Sequence, residues 1–411
     1  MITLFAGEFM LVPEALDVSH NWCSHNCGYC FANLNKPDRR IDPQKLFNQI
    51  TNFRHQKNEV AMMLQHDMVV TASNKTDPFA KTNEQISLPM FELFEDYGIK
   101  HSIQTRGGSR IYEYLDMIKS NKVFYISITH TSDETRKNTE VGSPTIESRW
   151  ELVDELLRRG NKVIVAYNPF WHEWINIDKE IENCTSRNLS GVVLQKMHIN
   201  NLQYSNMTPR YKEVFKDIYD KSKSSKSRLI NENHTHYTLF YNTLRENGVK
   251  VKGYSETNFD NIYSIYADVY GKNSTFRTKE DFYVWCLENK KDGDEVRFKE
   301  FYDFFSKDLP FKDKEINLTP FFRSVKTIDK SADTYTKKKG FLRDVIEVFW
   351  NDWTYKRHLT MSRNYSILLE THRGQKYRLV DENNNLIYVF HKEKQEHVGT
   401  EYSNQRLNLK R

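Results

Sequence analysis

The chain has 411 residues, of which 38% are hydrophobic and 28% charged, with a formal net charge of +5. That length allows one large core, or one core and a smaller partner. No apolar run approaches the roughly 18 residues that suggest a membrane-spanning helix, so no membrane partner is expected.

The first residues, MITLFAGEFM, lack a basic segment followed by a long apolar stretch, so no signal peptide is read there. From residue 15 to about 200, short apolar runs alternate with amphipathic stretches. Strands are predicted at residues 15–18, 68–71, 101–104, 123–128, 163–167 and 191–194. Ser143-Pro144 reads as a helix start, a capping hydroxyl followed by proline at the first helical position. Ile146, Trp150, Val153 and Leu157 then share one face, and Gly160 ends the helix. Strands that alternate with helices imply a parallel sheet with crossover helices. Six units in about 200 residues fall short of the roughly 250 of a closed eight-stranded barrel. The fold class expected is therefore α/β, a partial (β/α)6 TIM-like barrel over residues 1–204 with an α+β C-terminal region over 205–411.

In that second region, residues 222–228 (SKSSKSR) read as an exposed loop and 249–254 as a further strand. Helices are predicted at 258–270, 279–289, 298–305 and 342–355. After Asn364 the pattern becomes period two, with strands at 365–371, 377–380 and 386–391 and a turn at 381–385. Residues 321–411 hold 18 Lys and Arg against 11 Asp and Glu, so this end carries the whole positive excess. Aromatic residues lie among the charges. Such an end suits either a plain solvated surface or an anionic partner such as nucleic acid.

Three of the five cysteines, Cys23, Cys27 and Cys30, fall within eight residues (CSHNCGYC), directly after the first strand. Functional groups of such sheets gather at the C-terminal ends of strands, where this loop lies. Three thiolates there can hold three corners of a cubane iron–sulfur cluster and leave one iron open. The rival reading is a zinc site completed by His25, although no second two-ligand knuckle is present. Cys184 and Cys286 stand alone and read as packing residues. Five cysteines so distributed do not form a disulfide framework, and a reducing cytoplasm is the expected compartment.

C-x3-C-x2-C with the aromatic Tyr29 before the last cysteine resembles the radical SAM superfamily. The order of later motifs is similar to its spore photoproduct lyase branch: Ser73-Asn74-Lys75-Thr76-Asp77-Pro78-Phe79 after the second strand, Gln104-Thr105-Arg106 ending the third, Ile126-Ser127-Ile128-Thr129 in the fourth, then Glu140 to Arg149, with Pro169 closing the fifth. The likeness covers about residues 10–200. It implies a [4Fe–4S] cluster on Cys23, Cys27 and Cys30, with S-adenosylmethionine (SAM) on the fourth iron. It also implies a one-electron donor such as flavodoxin or ferredoxin, and a 5′-deoxyadenosyl radical that abstracts hydrogen from substrate.

By the same resemblance Tyr29 packs near the adenine, Arg106 pairs with the SAM carboxylate, Ser127 and Thr129 hydrogen-bond SAM, and Asn74 and Asp77 lie where SAM or substrate is recognised. Glu140 and Arg149 are read as a brace. The branch's hydrogen-returning cysteine has no counterpart in a matching motif. His172-Glu173, His234 and His236 lack a third ligand at a recognisable spacing, and Gly107-Gly108 lacks the rest of a phosphate-loop fingerprint. The function expected is radical SAM chemistry on a nucleobase in DNA or RNA, or on a nucleotide. Arg323, Lys337, Lys338, Lys339, Lys356, Arg357 and Arg363 are its candidate phosphate contacts. A peptide or small-metabolite substrate is the alternative. A non-catalytic, metal-stabilised nucleic-acid-binding protein is the reading from another class.

Overall fold

The structure, a computed structural model, describes residues 1–4, 12–18, 20, 22–34, 41–197, 199–222, 228–253, 260–309, 311–318, 339–351 and 380–390. It divides into two compact units. The first comprises Met1–Thr3, Leu16–Gly253 and Ile265–Ser274, and the second Leu4–Ala15, Tyr254–Ser264 and Thr275–Arg411.

One sheet organises the first unit. Its strands are β1 (Thr3–Leu4), β2 (Leu16–Val18), β3 (Val70–Ala72), β4 (His101–Thr105), β5 (Val123–Ser127), β6 (Lys162–Phe170), β7 (Gly191–Lys196) and β8 (Val251–Lys252), in spatial order equal to sequence order. From β2 to β8 each neighbouring pair is parallel. The six strands expected from the apolar runs are β2 to β7, and the run at 249–254 supplies β8. Near-continuous burial along β3 to β6 (Val70, Ile103, Phe124, Ile126, Val163, Ile164 and Val165 are all at 0% exposure) is what a parallel sheet covered on both faces requires. Pro169 does not close its strand. β6 continues to Phe170, with a register shift against β7 between Tyr167 and Phe170.

The crossover helices show why these residues seal the sheet. Glu84–Tyr97 turns Phe91 and Phe94 inward, where they meet His101 and Tyr114 in one aromatic stack. Gly98, at φ 69°, ends that helix in the left-handed conformation that glycine adopts without a Cβ penalty. Tyr270 belongs to a distant stretch of chain yet ties β4 to β5. Its hydroxyl donates to the His101 carbonyl at 2.6 Å and accepts from the Val123 N–H at 2.9 Å.

The helix that leads into β6 begins later than its sequence suggests. It spans Ile146–Arg158, and its N-cap is Thr145, whose side chain accepts from the Ser148 N–H. Ser143 caps nothing, because its hydroxyl is committed to Glu140 and Arg149, and Pro144 lies outside the helix. Tertiary partners took the hydroxyl that local chemistry offered to the helix.

The second unit contains the helices Lys279–Asn289, Phe298–Ser306 and Leu342–Asn351, with two small antiparallel pairs, Ile316–Asn317 with Lys339–Gly340 and Glu295–Val296 with Tyr388–Val389. Its core is aromatic. Trp350 packs on Phe301 at 4.8 Å and on Tyr388 at 4.5 Å, and its indole N–H donates to the Leu386 carbonyl. The predicted turn at 381–385 is present, with Asp381 Oδ1 accepting from the N–H groups of Asn383 and Asn385. The strands read at 365–371 and 377–379, the end of the helix at 352–355, and Arg323, Lys337, Lys338, Lys356, Arg357 and Arg363 lie outside the described residues.

Candidate functional site

The loops that leave β2, β3, β4 and β5 share the C-terminal edge of the sheet, and the cysteine loop is the first of them. Two turns shape it, with Asn26 N–H to Cys23 O at 3.3 Å and Cys30 N–H to Cys27 O at 3.1 Å. It is then pinned to the segment after β5. Cys27 and Glu140 form an antiparallel bridge, Gly28 N–H donates to Thr139 O, and Gly142 N–H donates to His25 O. The glycines permit this approach. A Cβ on Gly142 would meet Ser24 O at 2.2 Å, and one on Gly28 would meet the rings of Tyr211 and Phe215 at 2.6 Å.

Cys23 and Cys27 are buried and Cys30 is half-buried. Burial, helped by the Asp77 charge, pushes the Cys23 thiol up to about 12; burial also raises Cys27 well above the ordinary thiol value. Without a metal these two thiols hold their protons. Binding as thiolates therefore requires a cation strong enough to displace them, as an iron–sulfur cluster does.

Glu140, at 0% exposure, is the hub beside the thiols. Its Oε1 accepts from the hydroxyls of Tyr29 and Thr129, the latter at 2.6 Å, and lies 3.4 Å from Arg106 Nε. Its Oε2 accepts from Ser143 Oγ at 3.0 Å and from Arg149 Nη2. Burial opposes its charge, but Arg149 and Arg106 outweigh that and hold the carboxyl well below its usual range. Arg149 also donates to the carbonyls of Ser127 and Pro144, so a fully buried guanidinium is satisfied on every side. Arg106 Nη2 donates to Tyr29 Oη at 3.2 Å, which closes the ring of contacts.

A second carboxylate supports the loop from below. Asp77 Oδ2 lies 3.1 Å from His25 Nε2 and accepts from Arg106 N–H at 2.6 Å, while Oδ1 accepts from Thr105 Oγ1 at 2.7 Å and from Phe79 N–H at 2.9 Å. Burial raises this carboxyl, but His25 and these donors bring it below its ordinary value. His25 Nδ1 meets the Gly142 carbonyl at 3.2 Å, while Nε2 stands near Asp77 without forming a hydrogen bond.

The structure thus gathers Cys27, Tyr29, Arg106 and Thr129 around Glu140. Tyr29 directs its hydroxyl to that carboxylate and packs its ring near Trp174 and Phe215. Asn74 and Ser127 stand at the ends of β3 and β5, outside this ring of contacts. The Asn74 N–H donates to Asp17 Oδ1, and the Ser127 carbonyl receives Arg149. His172 stacks on His236 at 5.2 Å, and Lys196 Nζ contacts His234 Nδ1 at 2.8 Å. Sequence reading identified Glu140 only as a partner of Arg149. Its bond to Tyr29 joins residues 111 apart, which no local spacing signals.

The donor set fits a cubane cluster better than a single ion. A zinc ion draws four donors to about 2.0–2.3 Å, and among the described residues no three Cys, His, Asp or Glu side chains are gathered tightly enough to hold one metal ion. A cubane offers each thiol its own iron, so its ligands stand further apart. His25, the fourth ligand of the zinc reading, is placed against Asp77 and the Gly142 carbonyl. Three thiols remain, and one iron would lack a protein ligand.

The parallel α/β sheet carries the three thiols on a loop at its C-terminal edge. Residues 18–172 match the model of the Radical SAM superfamily. The match covers less than half of the chain, and members of that superfamily are enzymes that use a [4Fe–4S] cluster and SAM. Enzymes of this type need a one-electron reductant. No curated protein matches the chain.

Among solved structures, a spore photoproduct lyase variant with bound AdoMet and dinucleoside spore photoproduct is 14% identical, covering 46% of this chain and 57% of its own, at a TM-score of 0.34. SuiB of Streptococcus suis bound to SAM is 15% identical over 83% and 64%, at 0.35. A radical SAM methyltransferase from Sphaerobacter thermophilus is 13% identical over 62% and 69%, at 0.35. The chain thus spans less than two thirds of the first two, and likenesses of this size carry nothing about substrate. Among the described residues no helix is long and apolar enough to cross a membrane.

Proposed function

We propose that Cys23, Cys27 and Cys30 each ligate one iron of the [4Fe–4S] cluster, that SAM takes the fourth, and that the substrate is a nucleobase in DNA or RNA, or a nucleotide. The observation that supports the ligand set is the placement of His25, the candidate fourth donor, against Asp77 and the Gly142 carbonyl. Bound together, cluster and SAM supply a one-electron cleavage of the sulfonium and a 5′-deoxyadenosyl radical that takes hydrogen from an unactivated position. The remaining tasks belong to the chain: to bind, orient and exclude water.

Glu140 holds the cysteine loop to the segment after β5 through Tyr29 and the Cys27 bridge. Arg106, with 18% of its side chain exposed, is a permanent cation at the end of β4 suited to the SAM carboxylate. Asn74 and Ser127 offer polar groups at neighbouring strand ends, and Thr129 acts through Glu140. Tyr29, Trp171, Trp174, Tyr211 and Phe215 pack with Cys27 and Cys30 in one apolar cluster that keeps water from the thiols.

The positive excess of residues 321–411 supports an anionic substrate, for which phosphate contacts give salt-sensitive affinity. Photoproduct repair is not the reaction we propose. The Cys184 sulfur lies 3.4 Å from the Tyr167 hydroxyl at 0% exposure, and Cys286 is buried in the second unit, so neither is placed to return hydrogen to a bound base. Flavodoxin or ferredoxin is the proposed electron donor. Five free thiols fit a reducing compartment such as the cytoplasm.

Anaerobic turnover with SAM, reductant and deuterated DNA, RNA or nucleotide tests the reading. Expected results are 5′-deoxyadenosine carrying deuterium from one of these substrates, and none from Cys27→Ala. Cluster absorbance that survives Cys27→Ala would refute the ligand set. Absence of oligonucleotide binding at low salt, with no deuterium transfer from any of the three, would refute the substrate class.

A further inference from the structure

A groove of about 470 Å³ opens beside the cysteine loop, within the roughly 300–1,000 Å³ of small-molecule sites. Four loops and helices of the first unit build it. Lys81 comes from the loop after β3, Arg106 from the end of β4, Tyr112 from the helix Ile111–Met117, and Glu151 from the helix Ile146–Arg158. Buried Ile111 and Leu152 give it an apolar part. None of the three cysteines and no atom of Tyr29 lines it. The groove is therefore lined by residues other than the thiols and Tyr29, and we take it as a site separate from the SAM site proposed above.

We propose that this groove binds a nucleoside monophosphate. Its functional groups differ in kind, and each answers a different part of such a ligand. Lys81 has no ion-pair partner among the described residues, and it stands with Arg106, whose Nε and Nη2 are turned to Glu140 and Tyr29. A cation without a fixed partner matches a phosphate, and Lys81 supplies it here. Glu151 also has no ion-pair partner among the described residues, and a carboxylate accepts hydrogen bonds from the paired hydroxyls of a ribose. Tyr112, 43% exposed, offers a ring face on which a base stacks. A bare phosphate leaves Glu151 repelled, and a purely apolar ligand leaves Lys81 and Glu151 unanswered. The nucleotide meets all of them.

Arg106, Ser24 and His25 also line the groove, which therefore borders the cysteine loop.

The test is calorimetric titration of the full-length holoprotein with adenosine 5′-monophosphate, adenosine and inorganic phosphate, each with and without saturating SAM. Lys81→Ala, Tyr112→Ala and Glu151→Gln alter exposed side chains and spare the fold. Expected is one site for the monophosphate that persists with SAM bound and is weakened about tenfold or more by Lys81→Ala, the size of one charge-assisted hydrogen bond. Adenosine and phosphate alone bind more weakly than the nucleotide. No monophosphate binding, binding indifferent to all three substitutions, or competitive displacement by SAM would overturn the proposal. The thiols take no part in the measurement, so failure of the cluster assignment leaves this outcome unaffected.

Discussion

Replacing Arg149 with methionine probes the centre of the site most directly. Arg149 and Glu140 both have side chains at 0% exposure and form an ion pair deep behind the cysteine loop. Removing one member of such a pair strands a charge without water, which costs about 3–5 kcal/mol. Arg106 still faces Glu140 at 3.4 Å, and Thr129, Ser143 and Tyr29 still donate to it, so the low end, about 3 kcal/mol, applies here. That is a loss of roughly a hundredfold in the folding equilibrium. Combining Arg149→Met with Glu140→Gln removes the stranded charge, so the double variant should lose less than the sum of the singles by about 1–3 kcal/mol. Urea unfolding of cluster-free protein under reductant gives the midpoints. Amide exchange over β5 and Ile146–Arg158 assigns the loss to the first unit. A single variant within about 1 kcal/mol of the parent, or strict additivity in the cycle, would show that the pair is not the brace described.

Gly142→Ala places a methyl against the Ser24 carbonyl at 2.2 Å, so it should lower iron retained per chain after anaerobic reconstitution; unchanged iron content would contradict the loop geometry. Burial, with the Lys122 charge, holds His101 at about 4, and burial holds His20 and His130 at about 4 as well. Their folded pKa values lie below the unfolded one near 6.5, so the unfolded chain takes up protons first. Stability should be full above about pH 6.5 and fall by on the order of 3 kcal/mol per histidine toward pH 4; a urea midpoint flat over that window would refute it. Burial pushes Cys184 and Cys286 up to about 12, so alkylation at pH 8 should leave both unmodified in the folded protein while urea exposes them. Prompt native labelling of either, read by mass spectrometry, would show the packing to be wrong.

The order of strands was legible because each βα unit carries its own periodicity. Buried strands read as short apolar runs, and helices repeat at 3.6 residues, so local pattern suffices for β2 to β7. The cysteine loop was legible for the same reason: its thiols lie within eight residues, and its place follows from the strand before it. Ser143 was misread as a cap because the choice between a helix N–H and the buried Glu140–Arg149 pair is made by packing. The roles of Glu140, His25 and Asp77 were settled in the same way, since each depends on a partner far along the chain. The sequence by itself determined a parallel α/β sheet with a three-thiol loop at its functional edge. Only the tertiary structure decided which charges meet beside those thiols, because a buried charge takes its partner from whatever the fold brings within hydrogen-bond reach.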